Sequence, residues 1–429
     1  MLDLLGPLVV SNSTKIVLQV EHGRAWSQCT MLDLLGPLVV SNSTKIVLLS
    51  LDGLAGLPHP RTRKSEMETA RLPNLDALAT EAACGLLRHV APGITPGSGP
   101  GHLGLFGYDP LRYPVGRGVL EALGIEFDLR AGDVAARGNF CTVDGAGLIT
   151  DRRAGRISTD LCIRLVERLR DIRLPGVDVL VESVKEHRFV LVLRGTGLGG
   201  RLSETDPQSL GAAPLPVRAL EPSAERTAEL VNGFVAESRR RLADTSPANM
   251  VLLRGFDQLP TLPRFPEIFG MRAGAIAAYP MYRGLAKVVG MEVLKTGTGF
   301  SDEVATLRQY WDGYDFFFVH YKDTDKAGED GDFDAKVSAL ERFDAFIPEI
   351  RALGPDVIVV SGDHASPSIL ASHGWQPVPV LLWSRYCGAD PVTAFAERAC
   401  AAGTLGVIPA QHLMPLVMAN AQRLTKYGA

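Results

Sequence analysis

A chain of 429 residues is long enough to form about two or three domains and to bury at least one large core, which excludes a small disulfide-stapled module. Apolar residues make up 46% of the sequence and charged residues 21%, and the net charge of −4 offers no general attraction for a polyanion such as nucleic acid. The six cysteines are scattered without a C-x-x-C pair, so neither a zinc ribbon nor a disulfide framework is predicted. No apolar run approaches the roughly 18 residues that span a bilayer, and the first residues lack the basic segment of a secretory signal. We therefore expect a soluble cytoplasmic protein with neither a membrane nor a nucleic-acid partner.

An identical duplication stands at the start of the chain: residues 1–18 (MLDLLGPLVVSNSTKIVL) recur letter for letter at residues 31–48. Because the repeats of solenoid proteins diverge and need several units for stability, one identical copy does not predict a repeat fold. Only the second copy continues into a longer apolar run, and a sheet has room for one first strand there. We interpret residues 1–40 as a duplicated leader, artefactual or peripheral and dispensable, and expect the domain to begin near Lys45.

From Lys45 onward, short continuous apolar runs alternate with helical patterns, which predicts an α/β fold with a central, mostly parallel sheet flanked by helices. Helical spacing of apolar residues is seen at residues 73–83 and 333–346. The apolar runs that we interpret as buried parallel strands are Lys45 to Leu51, Tyr314 to His320, Val357 to Ser361 and Val378 to Trp383. Polar residues follow several of these runs, and ligands of open α/β sheets bind at the carboxyl ends of the strands.

The middle of the chain has a different composition. Residues 128–250 are rich in arginine, contain Lys185 as their only lysine, and combine strand candidates with Gly-rich and Pro-rich connections. We predict a smaller α+β domain at 128–250, inserted into a discontinuous catalytic core formed by residues 41–127 and 251–429. Guanidinium groups bind phosphate and carboxylate in a bidentate manner, which singles out four arginines as candidate substrate ligands: Arg152, Arg153, Arg156 and Arg188.

Carboxylates and imidazoles near the strand ends are spaced like ligands of divalent metal ions. The six candidates are Asp52, Asp325, Glu329, Asp363, His364 and His373. Each alone is equally consistent with a helix cap or a hydrogen-bonded core histidine, but together at the strand ends of one sheet they indicate a metal site.

A candidate nucleophile lies in the loop Pro96-Gly97-Ser98-Gly99-Pro100-Gly101. Glycines on both sides of Ser98 allow the backbone to approach a phosphate closely, and a following helix would direct free N–H groups at the anion. A nearby metal ion would lower the pKa of the Ser98 hydroxyl and make it a stronger nucleophile.

The chain from Lys45 to Ala429 resembles the cofactor-independent (2,3-bisphosphoglycerate-independent) phosphoglycerate mutases of archaeal type, which belong to the alkaline phosphatase superfamily. The matching stretches include PNLDALA (73–79), PGSGPGHLGLFGYDP (96–110), GRGVLEALG (116–124), GDVAARGNF (132–140), TDRRAGRI (150–157), TDKAGEDGDFDAKV (324–337), GDHASP (362–367) and KYGA (426–429).

The resemblance implies a two-metal isomerase of glycolysis and gluconeogenesis that needs no bisphosphoglycerate. One metal ion would bind Asp325, Glu329 and His373, and the other Asp52, Ser98, Asp363 and His364. Ser98 would take the phosphoryl group of 3-phosphoglycerate and return it to the 2-hydroxyl of glycerate. The four arginines and His102, near the phosphoserine, would bind the substrate.

Glu329 departs from the family pattern, which commonly has a histidine at this place. A carboxylate in place of an imidazole favours Mn²⁺ or Mg²⁺, with Zn²⁺ as the less preferred ion.

Three other functions share these residues. A phosphomonoesterase of the same superfamily would release inorganic phosphate, and a phosphotransferase acting on a small metabolite would depend on a phosphate donor such as ATP. A catalytically inactive metal-binding scaffold is the remaining alternative.

Overall fold

The computed structural model describes residues 30–428. Its helices, in chain order, are α1 (Met31–Leu35), α2 (Glu66–Thr69), α3 (Pro73–Ala79), α4 (Ser98–Leu105), α5 (Arg117–Gly124), α6 (Thr159–Arg170), α7 (Glu225–Leu242), α8 (Phe265–Phe269), α9 (Pro280–Val288), α10 (Phe300–Gln309), α11 (Asp323–Glu329), α12 (Phe333–Asp344), α13 (Ile347–Arg351), α14 (Glu397–Cys400) and α15 (Leu413–Asn420). Its strands are β1 (Ile46–Leu51), β2 (Ala83–Arg88), β3 (Val134–Val143), β4 (Ile149–Asp151), β5 (Asp178–Lys185), β6 (Arg188–Arg194), β7 (Met250–Gln258), β8 (Ala273–Ile276), β9 (Glu292–Val293), β10 (Phe316–Tyr321), β11 (Val357–Ser361), β12 (Val378–Ser384) and β13 (Gly406–Pro409).

An eight-stranded, mostly parallel sheet forms the larger layer, in the order β13-β2-β12-β11-β1-β10-β8-β9. Strand β1 lies at its centre and pairs in parallel with both β10 and β11. The predicted α/β fold with a mostly parallel sheet is therefore confirmed. One strand differs from the prediction, because β12 runs antiparallel to both β11 and β2. A continuous apolar run indicates burial on both faces of a sheet and carries no information about strand direction.

Alternate side chains of the central strands enter separate cores on the two faces of this sheet. Ile46 and Leu48 pack into one core, and Val47 and Leu49 pack into the other. All six residues of β1 are buried. The continuous apolar sequence of this strand thus follows from its having helices on both sides.

The helices that cover the sheet begin at recognisable signals in the sequence. Pro73 occupies the first turn of α3, and the Asp332 side chain accepts a hydrogen bond from the backbone N–H of Ala335 at the start of α12. Helices α5 and α9 approach each other closely because glycines face the contact: a Cβ atom at Gly284 would lie 1.8 Å from the carbonyl oxygen of Leu120. This close packing explains a glycine that a helix interior would otherwise disfavour.

A second sheet is formed by β4, β3, β6 and β5, with β7 paired to β3, and its pairings are antiparallel. Helices α6 and α7 pack on it around a separate apolar core. The last of these strands, β7, begins at Met250, the residue where the predicted insertion ends.

The predicted leader falls largely on residues 1–29, which lie outside the described residues. The second copy of the duplicated sequence forms the short helix α1, whose Leu32 and Leu35 side chains are buried in the core under the large sheet. Val40 continues this contact by donating a backbone hydrogen bond to the carbonyl oxygen of Arg423. The chain is therefore packed against the core well before Lys45.

We expect the substitution Leu35→Ala to lower the free energy of unfolding by about 2–4 kcal/mol, because it removes buried methyl groups and leaves a cavity. Leu34→Ala in the same helix is the matched control, since Leu34 is 39% exposed and Leu35 only 3%. Urea unfolding of both variants measures the difference. Equal stabilities would mean that α1 does not contribute to the core.

No helix among residues 30–428 combines the length and the apolar character needed to cross a membrane.

Candidate active site

The candidate site lies at the carboxyl ends of the three central strands. Asp52 directly follows β1, Asp363 follows β11 by two residues, and Asp325 lies on α11 just after β10. The parallel register aligns these ends, since Ser50 pairs with both His320 and Ser361. Residues separated by about 300 positions in the chain are thereby brought to one rim of the sheet, as the sequence predicted from the strand ends.

A tight turn brings the loop after β1 against its neighbours. Gly53 has φ of +63°, and a Cβ atom there would lie 2.6 Å from Ser366 Oγ and 2.8 Å from Asp325 Oδ1. Glycine is therefore needed at this position for both the backbone conformation and the close approach.

Asp52, Asp363 and His364 form the first group of candidate metal ligands. One ligand atom from each lies within 4.8 Å of the others, and all three residues are buried. His364 Nε2 is 3.2 Å from Asp52 Oδ1 and 3.2 Å from Asp363 Oδ2. Neither of these two carboxylate oxygens accepts a hydrogen bond of good geometry, although His364 Nε2 lies close to both. Two buried carboxylates and an imidazole that converge in this way fit a divalent cation, which they would coordinate.

Asp325, His364 and His373 form the second group, again with ligand atoms within 4.8 Å of one another. The rings of His364 and His373 are stacked with 3.6 Å between their centroids. His373 Nε2 lies 3.7 Å from Asp325 Oδ1 and 3.6 Å from Glu329 Oε1. Glu329 is one helical turn from Asp325 on α11, so both carboxylates face the same imidazole. His364 stands between the two groups.

Lys322 and His364 lie among the carboxylates of this site and interact with their negative charge. Burial disfavours the charged form of His364, but the neighbouring Asp363 and Asp52 outweigh it and raise the pKa of His364 to about 9. Lys322 Nζ donates hydrogen bonds to Asp52 Oδ2 at 2.9 Å and to Asp325 Oδ2 at 2.6 Å. It thus bridges one carboxylate of each group. Burial raises the pKa of Asp52, but Lys322, His320 and His364 together hold it well below its usual value.

Two further side chains contact Asp52 and were not singled out from the sequence. The Tyr282 hydroxyl donates a hydrogen bond to Asp52 Oδ2, and His320 Nε2 lies 3.1 Å from the same oxygen. The Tyr282 and His320 rings are stacked, with 3.6 Å between their centroids. Burial lowers the pKa of His320 to about 4, so its imidazole is neutral near pH 7. His320 lies at the end of a predicted strand, the one signal that could have identified it.

Ser98 is the first residue of α4 and lies beside both groups. Its Oγ is 3.3 Å from His364 Nε2, and the residue is 4% exposed. The helix docks directly on the loop after β11, because a Cβ atom at Gly101 would lie 2.1 Å from the carbonyl oxygen of Asp363. The glycines of this motif therefore bring the serine close to the candidate ligands.

A cavity of about 130 Å³ opens next to Ser98, and its lining includes six arginines. Of the four predicted arginines, Arg152, Arg153 and Arg188 line it, and Arg156 lines a larger adjoining cavity of about 350 Å³ together with Arg153 and Arg188. Sequence reasoning missed Arg117, Arg137, Asn139, Arg254, Tyr279, Tyr282 and Lys322, which also line the smaller cavity. They come from separate strands, helices and loops, so no local motif identifies them as a set.

Several of these arginines are paired with carboxylates. Arg152 donates two hydrogen bonds to Asp206, at 3.0 and 2.7 Å. In the lining of the larger cavity, Arg156 Nη2 donates to Asp330 at 3.0 Å. Arg137 differs from these two arginines. Burial and the positive charge of the nearby Arg117 lower its pKa to about 9. A crowded set of guanidinium groups favours an anionic ligand in this cavity.

His102 does not lie where a substrate contact was predicted. It is fully buried, with Nε2 3.0 Å from Ser50 Oγ and Nδ1 2.9 Å from the carbonyl oxygen of Ser98. Nδ1 is also 3.1 Å from Asp363 Oδ2. The residue follows Ser98 by one helical turn, lines neither of the two cavities described above, and lies between the serine and a candidate metal ligand.

A mostly parallel sheet that presents a serine and two carboxylate–imidazole groups at its strand ends defines a metal-dependent α/β enzyme. Residues 79–249 match a family model described as 2,3-bisphosphoglycerate-independent phosphoglycerate mutase. A probable mutase of this kind from a strain of Thermus thermophilus is 50% identical over 384 residues, covering 88% of this chain and 95% of the relative. One from Deinococcus radiodurans is 50% identical over 388 residues, covering 88% and 94%. The chain belongs to the family of 2,3-bisphosphoglycerate-independent phosphoglycerate mutases.

Solved structures agree with this assignment. A protein of Pyrococcus horikoshii superposes with a TM-score of 0.78 at 27% identity, covering 91% of this chain and all of the other. A cofactor-independent phosphoglycerate mutase from Thermoplasma acidophilum superposes with a TM-score of 0.63 at 30% identity, covering 88% of this chain and all of the other.

Proposed function

We propose that this enzyme interconverts 3-phosphoglycerate and 2-phosphoglycerate through a phosphoserine on Ser98, without bisphosphoglycerate. The observation that carries the proposal is the position of Ser98, whose Oγ lies beside both candidate metal groups and at the edge of an arginine-lined cavity. A hydroxyl there can receive a phosphoryl group, because metal ions at the candidate groups and the arginines of the cavity would both offset its negative charge.

Two divalent ions are part of the proposal, with Mn²⁺ or Mg²⁺ favoured over Zn²⁺. Asp325, Glu329 and His373 would bind one, and Asp52, Ser98, Asp363 and His364 the other. When bound, the ions supply positive charge that lowers the pKa of the Ser98 hydroxyl and offsets charge on the transferring phosphoryl group. The Asp52 and Asp363 oxygens that accept no hydrogen bond of good geometry support the set formed by Asp52, Ser98, Asp363 and His364.

Each half of the reaction is an in-line displacement at phosphorus. Ser98 Oγ forms a bond to phosphorus while the bond from phosphorus to the 3-oxygen of glycerate breaks. Glycerate then reorients in the cavity, and its 2-hydroxyl oxygen attacks the phosphoserine, which breaks the bond to Ser98 Oγ and gives 2-phosphoglycerate. Arg152, Arg153, Arg156 and Arg188 would bind the phosphate and carboxylate throughout. Arg117, Arg137 and Arg254 join this set because they line the same cavity.

His102 has a different role in this proposal. It is buried between the Ser98 carbonyl and Asp363 and so would orient the nucleophile against a metal ligand, without touching the substrate.

Two bodies would enclose the reaction: a catalytic core, predicted as residues 41–127 and 251–429, and an inserted domain, predicted as residues 128–250, whose sheet continues along β7 to Gln258. The ion pair between Arg156 and Asp330 supports a closed arrangement, since it joins the arginine-rich segment to the loop after α11. Water must be excluded while glycerate reorients, because hydrolysis of the phosphoserine would make the enzyme a phosphatase.

The chemistry of this substrate also favours the cytoplasm as the location.

The deciding experiment incubates the protein with 3-phosphoglycerate and Mn²⁺, with neither bisphosphoglycerate nor ATP. Formation of 2-phosphoglycerate is followed by coupling to enolase, and inorganic phosphate is measured in parallel. We expect 2-phosphoglycerate without stoichiometric phosphate release. Phosphate as the main product would identify a phosphomonoesterase, a requirement for ATP would identify a phosphotransferase, and no product would favour an inactive scaffold.

We expect the substitution Glu329→His to change the metal preference of the enzyme. An imidazole in place of the carboxylate removes a negative charge and a hard ligand, so the affinity for Mn²⁺ relative to Zn²⁺ should fall by about tenfold or more. Calorimetric titration with each ion measures the ratio. Glu229→His, at an exposed position of α7, is the control, and an unchanged ratio in the Glu329 variant would mean that Glu329 is not a ligand.

A further inference from the structure

A lysine with no exposed surface lies behind the candidate metal groups. Lys336 on α12 is 0% exposed, and its Nζ donates hydrogen bonds to the carbonyl oxygens of Gly53 at 2.9 Å, Ala55 at 2.9 Å and Ser366 at 2.7 Å. An ammonium group has three donors, and all three are used. Among residues 30–428, Lys336 makes no ion pair within 4.0 Å, and its hydrogen bonds go to backbone oxygens.

The three carbonyls belong to the segments that carry the proposed metal ligands. Gly53 and Ala55 follow Asp52 in the loop after β1, and Ser366 follows His364 by two residues in the loop after β11. Lys336 itself is on the helix that follows α11, which bears Asp325. One ammonium group therefore joins the loop after β1 and the loop after β11 to α12, the helix that follows the Asp325-bearing α11.

Neighbouring carboxylates fix the outer parts of the same two loops. Glu66 accepts hydrogen bonds from the backbone N–H and the hydroxyl of Ser368, at 2.8 and 2.6 Å. Glu397 accepts one from the backbone N–H of Gly56 at 2.9 Å. These contacts order the far ends of the loops, whereas Lys336 acts at the ends nearest Asp52 and His364.

Burying an ammonium group costs several kcal/mol, and an apolar side chain would fill the same space without that cost. The loops also touch directly, since Ser366 donates a backbone hydrogen bond to Ala55 at 3.0 Å, but this bond alone does not join α12 to them. Only the lysine holds three carbonyl oxygens, which come from two loops, at one point on α12.

We propose that Lys336 is a positioning residue that sets the spacing between the loops carrying Asp52 and His364 and thereby the affinity of the site for divalent metal ions. This inference rests on the ligand sets of the proposed function. Metal binding by such sites is sensitive to the groups that orient the ligands, whose removal typically costs about 10–100-fold in affinity.

The test compares Lys336→Met with Lys45→Met. Lys45 is a matched control, because its Nζ also donates to two backbone carbonyls, those of Trp311 at 2.8 Å and Tyr314 at 2.6 Å, but at the opposite end of β1. Binding of Mn²⁺ alone is measured by titration calorimetry on metal-free protein, after circular dichroism has established that each variant is folded. We expect the Kd for Mn²⁺ to rise about tenfold or more in Lys336→Met and to stay within about twofold in Lys45→Met.

Lys336→Gln is the second variant, since its amide can donate to one or two of the carbonyls, and we expect an intermediate Kd. Equal Kd values in the wild type and in the Lys336 variants would overturn the proposal, as would failure of both variants to fold while Lys45→Met folds, because the lysine would then serve the fold itself. Wild-type protein that binds no Mn²⁺ would instead overturn the ligand sets. The two failures are thus distinguishable.

Discussion

Substitution of Ser98 by alanine is expected to lower kcat of the mutase reaction by about 10⁴-fold or more, because it removes the oxygen that receives the phosphoryl group. The neighbouring ligands keep their positions, since Ser98 contributes one hydroxyl to a helix that docks through its glycines. The variant should therefore keep its fold and most of its metal content. Activity is measured by the enolase-coupled assay, and metal content by elemental analysis.

Trapping the intermediate makes this prediction specific. Wild-type protein quenched with acid during turnover should carry a phosphate on the peptide that contains Ser98, as detected by mass spectrometry, and Ser98→Ala should carry none. Ser301→Ala, at an exposed position of α10, is the control and should retain wild-type turnover. Turnover that persists in Ser98→Ala would exclude covalent catalysis through this serine.

The second large effect is expected for Asp52→Asn. Asp52 is fully buried, belongs to the first candidate metal group and accepts hydrogen bonds from Lys322 and Tyr282. The amide removes a negative charge and leaves the partly buried Lys322 less well compensated. We expect the affinity for Mn²⁺ to fall about 100-fold or more, with a comparable loss of turnover.

Titration calorimetry with Mn²⁺ and the enolase-coupled assay measure the two effects on the same preparation. Asp334→Asn is the matched control, because Asp334 is exposed in the first turn of α12 and belongs to neither candidate group. Wild-type affinity for Mn²⁺ in Asp52→Asn would remove Asp52 from the ligand set. A loss of turnover without a loss of metal would instead assign it a role in orienting Lys322.

Burial of strands could be predicted from the sequence, but strand direction could not. The runs at 46–51, 316–321 and 357–361 are continuous and apolar because each strand has a core on both faces, and their polar successors meet at one rim. The run at 378–384 has the same composition yet is antiparallel. Direction is decided by how the chain reaches a strand, and a local pattern does not record that path.

The residues of the candidate site also fall into two classes: those that their position in the sequence identifies, and those that only the packed structure brings together. Asp52, Asp363, His364 and Asp325 stand next to strand ends, so position alone could identify them. Tyr282 reaches Asp52 from α9, which lies on a different segment of the chain, and only the packed structure brings the two together. His102 shows the limit of a local motif, since it follows Ser98 by one turn in a glycine-rich segment and its side chain is buried against the Ser98 carbonyl.

By itself, the sequence determined the α/β class, the family and the candidate ligands at the strand ends, because burial on two faces and residues at strand ends leave local patterns. The tertiary structure alone decided which side chains share the arginine-lined cavity, that His102 faces inward, and that Lys336 joins two loops to a helix. Those relations join residues as far apart in the chain as Gly53 and Lys336. The distances between such residues depend on how the helices pack on the sheet around common cores, and no short stretch of sequence specifies that packing.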